Sequence, residues 1–104
     1  THSVQVGKFV TISADAKTLT LPAVVVGASF IIVNTANDGN SLLTISPNSN
    51  DKFLVDIAGA AGTDNKDIIL AKATQSKYDY VHLVGLSADG WLIQDIRGTW
   101  VDQA

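Results

Sequence analysis

The chain has 104 residues, of which 46% are hydrophobic and only 16% charged, with a net charge of −3; this is one domain's worth of sequence, able to bury roughly two-thirds of its unfolded surface around a single core. Its seven Lys and Arg stand singly, so the clustered basic footprint of a nucleic-acid binder is missing, and no apolar run approaches a membrane span. With no Cys in the chain, disulfides and thiolate chemistry are excluded, and stability is expected from the core or from oligomerisation.

Val4, Val6 and the run Phe9-Val10-Thr11-Ile12 read as an N-terminal strand interrupted at Gly7. Residues 1–7 are a candidate arm, because a strand carrying Val4 and Val6 can add to a partner's sheet edge; the alternative is an ordinary internal edge strand. No basic segment with an apolar core opens the chain, so no signal peptide is expected. Residues 13–17 form a turn. Thr18, Leu19, Thr20 and Leu21 alternate polar and apolar, the period of a strand with one wet face, and Pro22, which cannot donate to a ladder, is expected to end it or lie at an edge. Residues 23–27 are apolar without a pattern and read as a packed connection.

Phe30-Ile31-Ile32-Val33 is apolar on both faces. Such a strand is covered by a second sheet on one side and by a connection or another subunit on the other. Asp38-Gly39 then makes residues 42–45 its hairpin partner. Residues 47–51 are a turn cluster, and residues 52–57 a strand with Phe53, Val55 and Ile57 on one face. Residues 58–65 form a surface loop, residues 67–71 a strand and residues 73–77 a polar break. Residues 80–86 and 91–96 form a final hairpin across Asp89-Gly90, where Gly supplies the positive φ such turns require. Residues 101–104 read as a loose tail. The sum is an all-β single domain over residues 1–104, a small antiparallel sandwich or barrel-like fold of about eight short strands.

Catalytic chemistry is hard to assemble from this inventory. There is no Cys and no Gly-x-Ser-x-Gly elbow. His2 and His82 are the chain's histidines, too far apart for a zinc signature, and the Asn/Asp turns lack the alternating ligand spacing of a calcium loop. Gly59 and Gly62 are not followed by the Gly-Lys-Ser/Thr of a phosphate loop. Most Asp residues fall at turns, and Asp95 has Arg97 two positions on for a local ion pair. No enzyme activity, cofactor or metal is expected.

The aromatic residues point to surfaces instead. Trp91 after the Asp-Gly turn and Trp100 after Gly98-Thr99 are candidates to stack on a sugar or fill a partner's pocket, or else cover the ends of the core. Tyr80 and His82 alternate on one strand face and are interface candidates.

The pieces Thr18-Leu-Thr-Leu-Pro22, Gly27-Ala-Ser-Phe-Ile-Ile-Val-Asn34, Leu43-Thr-Ile-Ser-Pro47, Asp79-Tyr-Val-His-Leu-Val-Gly85, Asp89-Gly-Trp91 and Arg97-Gly-Thr-Trp100, in this order, resemble the small β-structured modules of tailed-phage virion proteins. The likeness spans residues 17–100 and rests on order and spacing. It implies a non-enzymatic virion structural role and commonly a homotrimer. A capsid decoration protein, binding the major capsid protein and stabilising the assembled shell, is the expected placement. A trimerisation or receptor-binding section of a tail fibre or spike, and a carbohydrate-binding module, are the alternatives. Neither nucleic acid nor membrane is an expected partner.

Overall fold

Leu43 and Ile45 are buried while Thr44 and Ser46 are partly open, the two-residue period of a strand packed on one face. The same alternation recurs along most of the chain. A computed structural model describes residues 8–103; the proposed arm, with Val4 and Val6, lies outside the described residues. Among those described, nine strands form: β1 (Lys8–Ile12), β2 (Lys17–Thr20), β3 (Ser29–Asn34), β4 (Leu43–Ser46), β5 (Lys52–Phe53), β6 (Ile68–Leu70), β7 (Tyr80–Ser87), β8 (Gly90–Arg97) and β9 (Trp100–Asp102). They make a five-stranded sheet in the order β1-β3-β7-β8-β5 and a four-stranded sheet in the order β2-β4-β6-β9. The fold is all-β, as the sequence pattern implies.

The sheets are mixed and not purely antiparallel. β1 pairs β3, β2 pairs β4 and β5 pairs β8 in parallel. The cause lies in the connections. The chain steps from β1 in one sheet to β2 in the other, back to β3, and across again to β4. A strand that returns to its sheet after such an excursion enters from the same end and so runs parallel. The Asp38-Gly39 turn, with Gly39 at φ 71°, is therefore a crossover between sheets and not the hairpin expected for β3 and β4.

Between the sheets lies one core, built from Ile12, Leu21, Ile32, Leu43, Ile45, Phe53, Ile68, Leu70, Val81, Leu83, Trp91 and Trp100. The expected loose tail instead begins as strand: Val101 and Asp102 continue β9, although Val101 is exposed and only Trp100 enters the core. Trp100 leads β9, which pairs with β6, and the Gln103 N–H donates to the Asp67 carbonyl (2.9 Å). The strand expected over residues 52–57 stops at Phe53. The chain then folds into a tight turn, with the Asp56 N–H on the Ala60 carbonyl and Val55 turned out to solvent. In residues 23–27, Val24 packs on the core, but Val25 and Val26 are both 64% exposed, so the connection is packed only at its first valine.

The β7–β8 hairpin forms across residues 88–89, yet Gly90 does not take a positive φ. Its missing side chain matters for another reason. A Cβ there would lie 2.0 Å from the Lys52 carbonyl oxygen, so glycine is what lets β5 approach β8.

A buried polar network holds the crossover loop after β3. Asn34 Nδ2 donates to Ser41 Oγ (2.6 Å), and Gln75 Nε2 donates to Asn34 Oδ1 (2.8 Å) and to the Ala36 carbonyl (3.0 Å). Gln75 Oε1 accepts from the Asn40 and Ser41 N–H groups. Each member of the set is thereby satisfied, which is the condition for polar groups to sit in a core without a net penalty.

Candidate functional site

β7 turns Val81 and Leu83 into the core, and by alternation Tyr80, His82, Val84 and Leu86 outward. The register carries this division across the five-stranded sheet. Phe9, Ile31, His82 and Asp95 form one outward row; Thr11, Val33, Tyr80 and Arg97 form the next; Ser29, Val84 and Leu92 form a third. The result is a sheet face whose apolar members are Phe9, Ile31, Val33, Val84, Leu86 and Leu92. Phe9 is 66% exposed and Leu86 55%.

Polar groups sit toward the β8 side of this face. The Tyr80 hydroxyl donates to Asp95 Oδ2 (2.8 Å), and the Ile96 N–H donates to Asp95 Oδ1 (2.9 Å). The carboxylate beside the phenol, with partial burial adding to it, pushes the Tyr80 pKa above its ordinary value of 10.0. Asp95 thus serves Tyr80 and its neighbour's backbone instead of the ion pair expected with Arg97.

Both tryptophan candidates are elsewhere. Trp91 is 0% exposed and packs edge-on against Phe30, with ring centroids 5.4 Å apart. It points inward because it pairs with Phe53 of β5, which closes that end of the core. Its Nε1–H meets no acceptor among the described residues. Trp100 is 4% exposed, and its Nε1–H donates to the Arg97 carbonyl (3.0 Å). Neither presents a ring to a sugar or a partner. Tyr80 and His82, by contrast, share the outward face in adjacent rows.

Two hollows open at the end of the sandwich near β5. One, of about 110 Å³, is lined in part by Asp56, Asp67 and Asp102. Two of these carboxylates serve the backbone: Asp102 accepts from the Ile57 and Ala58 N–H groups (2.7 and 3.1 Å), and Asp56 from the Ala60 N–H (2.9 Å). The other hollow, of about 200 Å³, is lined by Val55, Asp56, Ile57, Ile93 and Ile96.

The apolar outer face was not assembled by sequence reasoning, although its signal was present. The doubly apolar run at residues 30–33 marks it directly. Val84, Leu86 and Leu92 join it only once the β3–β7–β8 register is known. No family model, curated protein or solved structure matches this chain.

Proposed function

We propose that this chain is a non-enzymatic structural module of a tailed-phage virion, a capsid decoration protein that assembles as a homotrimer and binds the major capsid protein on the finished shell. The observation that carries the self-assembly is the apolar outer face of the five-stranded sheet. Exposed apolar faces of this kind mark association surfaces. The virion placement rests on the resemblance over residues 17–100. The carbohydrate-binding alternative rested on exposed tryptophans, and Trp91 and Trp100 are in the core.

The mechanism is mechanical. A protein that binds only the assembled lattice stabilises it by mass action. Three weak contacts held on one rigid trimer gain further through effective concentration. The test has two stages. Analytical ultracentrifugation at micromolar concentration is expected to give three times the chain mass. Purified protein added to empty capsids is then expected to cosediment with them and raise their disruption temperature. A monomer that leaves capsids unchanged would overturn the reading.

A further inference from the structure

β8 is eight residues long, but β5 covers only Gly90 and Trp91 on its far side. The Leu54 N–H still reaches the Trp91 carbonyl (2.8 Å) before the chain turns away through residues 55–61. Along residues 93–97 no strand lies beside β8 on that side among the described residues. The Ile96 N–H donates to its own neighbour's Asp95 Oδ1 (2.9 Å). Directly beside this edge lies the hollow of about 200 Å³, whose lining is apolar except for Asp56. Val55 and Ile96 on its rim are 45% and 36% exposed. An open strand edge over an apolar strip is the geometry that accepts an added strand.

We infer that this edge receives an extended segment of a second copy of the chain, Ser3-Val4-Gln5-Val6, with Val4 and Val6 entering the hollow. The inference rests on the reading that the protein assembles with itself. Length is the first argument. Five residues of β8 offer about 16 Å and four residues of extended chain span about 13 Å, at roughly 3.3 Å per residue. Pattern is the second: a period of two sends Val4 and Val6 to the apolar hollow and Ser3 and Gln5 to solvent. Charge is the third. Asp56 lines the hollow and Asp95 lies on the open stretch, while residues 1–7 contain no acidic side chain. The source is a neighbour because Lys8 begins β1, the opposite edge of the same sheet. A segment preceding Lys8 would have to run back across β3 and β7 to reach β8 of its own chain.

The absence of native Cys makes engineered pairs unambiguous reporters. Chains carrying Val4→Cys or Val6→Cys are mixed with chains carrying Ile93→Cys or Ile96→Cys and oxidised. A disulfide-linked dimer of the two chain types is expected in at least one pairing, and none with Thr44→Cys on the other sheet. Gln5→Pro, which removes a ladder donor, is expected to cut the yield of that species. No linked dimer in any pairing overturns the inference. So does a Val6→Cys/Ile96→Cys double variant that links only within one chain. Ultracentrifugation of the same samples separates this failure from failure of the self-assembly reading. Oligomers without cross-links sink the donated strand alone, and monomers without cross-links sink both.

Discussion

The outer faces of the two sheets differ although their inner faces are alike. On the four-stranded sheet the outward row runs Thr18, Thr44, Ile69, Val101, with Thr20 and Ser46 beside it. Hydroxyls cover the β2–β4 half, and apolar residues are confined to β6 and β9. On the five-stranded sheet the outward apolar residues run across four strands, from Phe9 on β1 to Leu92 on β8. Core packing demands nothing of either set, since both point away from it. On the proposed self-assembly, the hydroxyl-rich half would face solvent and the five-stranded face another apolar surface.

The sharpest way to break this comparison uses two adjacent residues. Ile32 is 0% exposed in the core, while Ile31 looks outward between Phe9 and His82. Ile32→Asp is expected to unfold the domain, since an unpaired buried carboxylate costs on the order of several kcal/mol, comparable with the whole stability of a domain this size. Ile31→Asp is expected to melt cooperatively, close to the parent, and to sediment as a monomer. Circular dichroism and ultracentrifugation read the two outcomes. A folded Ile32→Asp protein, or an Ile31→Asp protein of unchanged mass, would erase the distinction between inner and outer faces.

A smaller effect is expected at the loop that lets the chain change sheets. Gln75→Ala leaves the Ala36 carbonyl and the Asn40 and Ser41 N–H groups short of partners, and leaves Asn34 Oδ1 with the Ala36 N–H as its donor. The expected loss is about 2–3 kcal/mol in urea unfolding. The outer face should be unaffected, so the oligomer mass should persist in the absence of denaturant. A loss below about 0.5 kcal/mol would show that water replaces these bonds at no cost.

The Tyr80–Asp95 hydrogen bond tests the polar side of the apolar face. Because the folded phenol has its pKa raised above 10.0, the bond stabilises fully below pH 10.0, and the stabilisation is lost as pH rises through the folded value. In a Tyr78→Phe background, absorbance of the Tyr80 phenolate should appear at higher pH than in a free tyrosine. Asp95→Asn should bring the midpoint down. No movement on Asp95→Asn would mean that burial and not the carboxylate governs Tyr80.

The smallest effect belongs to the other sheet's rim. Lys72 Nζ donates to Asp15 Oδ2 (2.7 Å), and this bond, followed by the Leu42 N–H, lowers the Asp15 pKa from 3.8. Its stabilisation is present above pH 3.8 and lost as pH falls through the depressed folded value. Both groups are exposed, so Lys72→Ala should raise the Asp15 carboxyl midpoint in NMR titration while barely lowering the melting temperature. A large drop in melting temperature would show the pair to be more than a surface contact.

Strand positions at β3, β7 and β8 were legible in the residues themselves, because a period of two is a property of neighbours and Asp89-Gly90 sits where the last hairpin turns. The doubly apolar run at residues 30–33 also marked both faces of β3 as apolar. Sheet membership was not legible. Whether β3 continues into its own sheet or crosses over depends on contacts from distant parts of the chain, among them the hydrogen bonds Gln75 makes to the loop after Asn34. The tryptophans failed for the same reason. A residue just after a turn is exposed or buried according to what arrives beside it, and β5 and β6 arrive from distant parts of the chain to close over Trp91 and Trp100. Alternation by itself thus determined that this is an all-β chain. The parallel edges, the inward tryptophans, the outer face and the open side of β8 were decided by tertiary structure alone, because each depends on contacts between segments that share no local pattern.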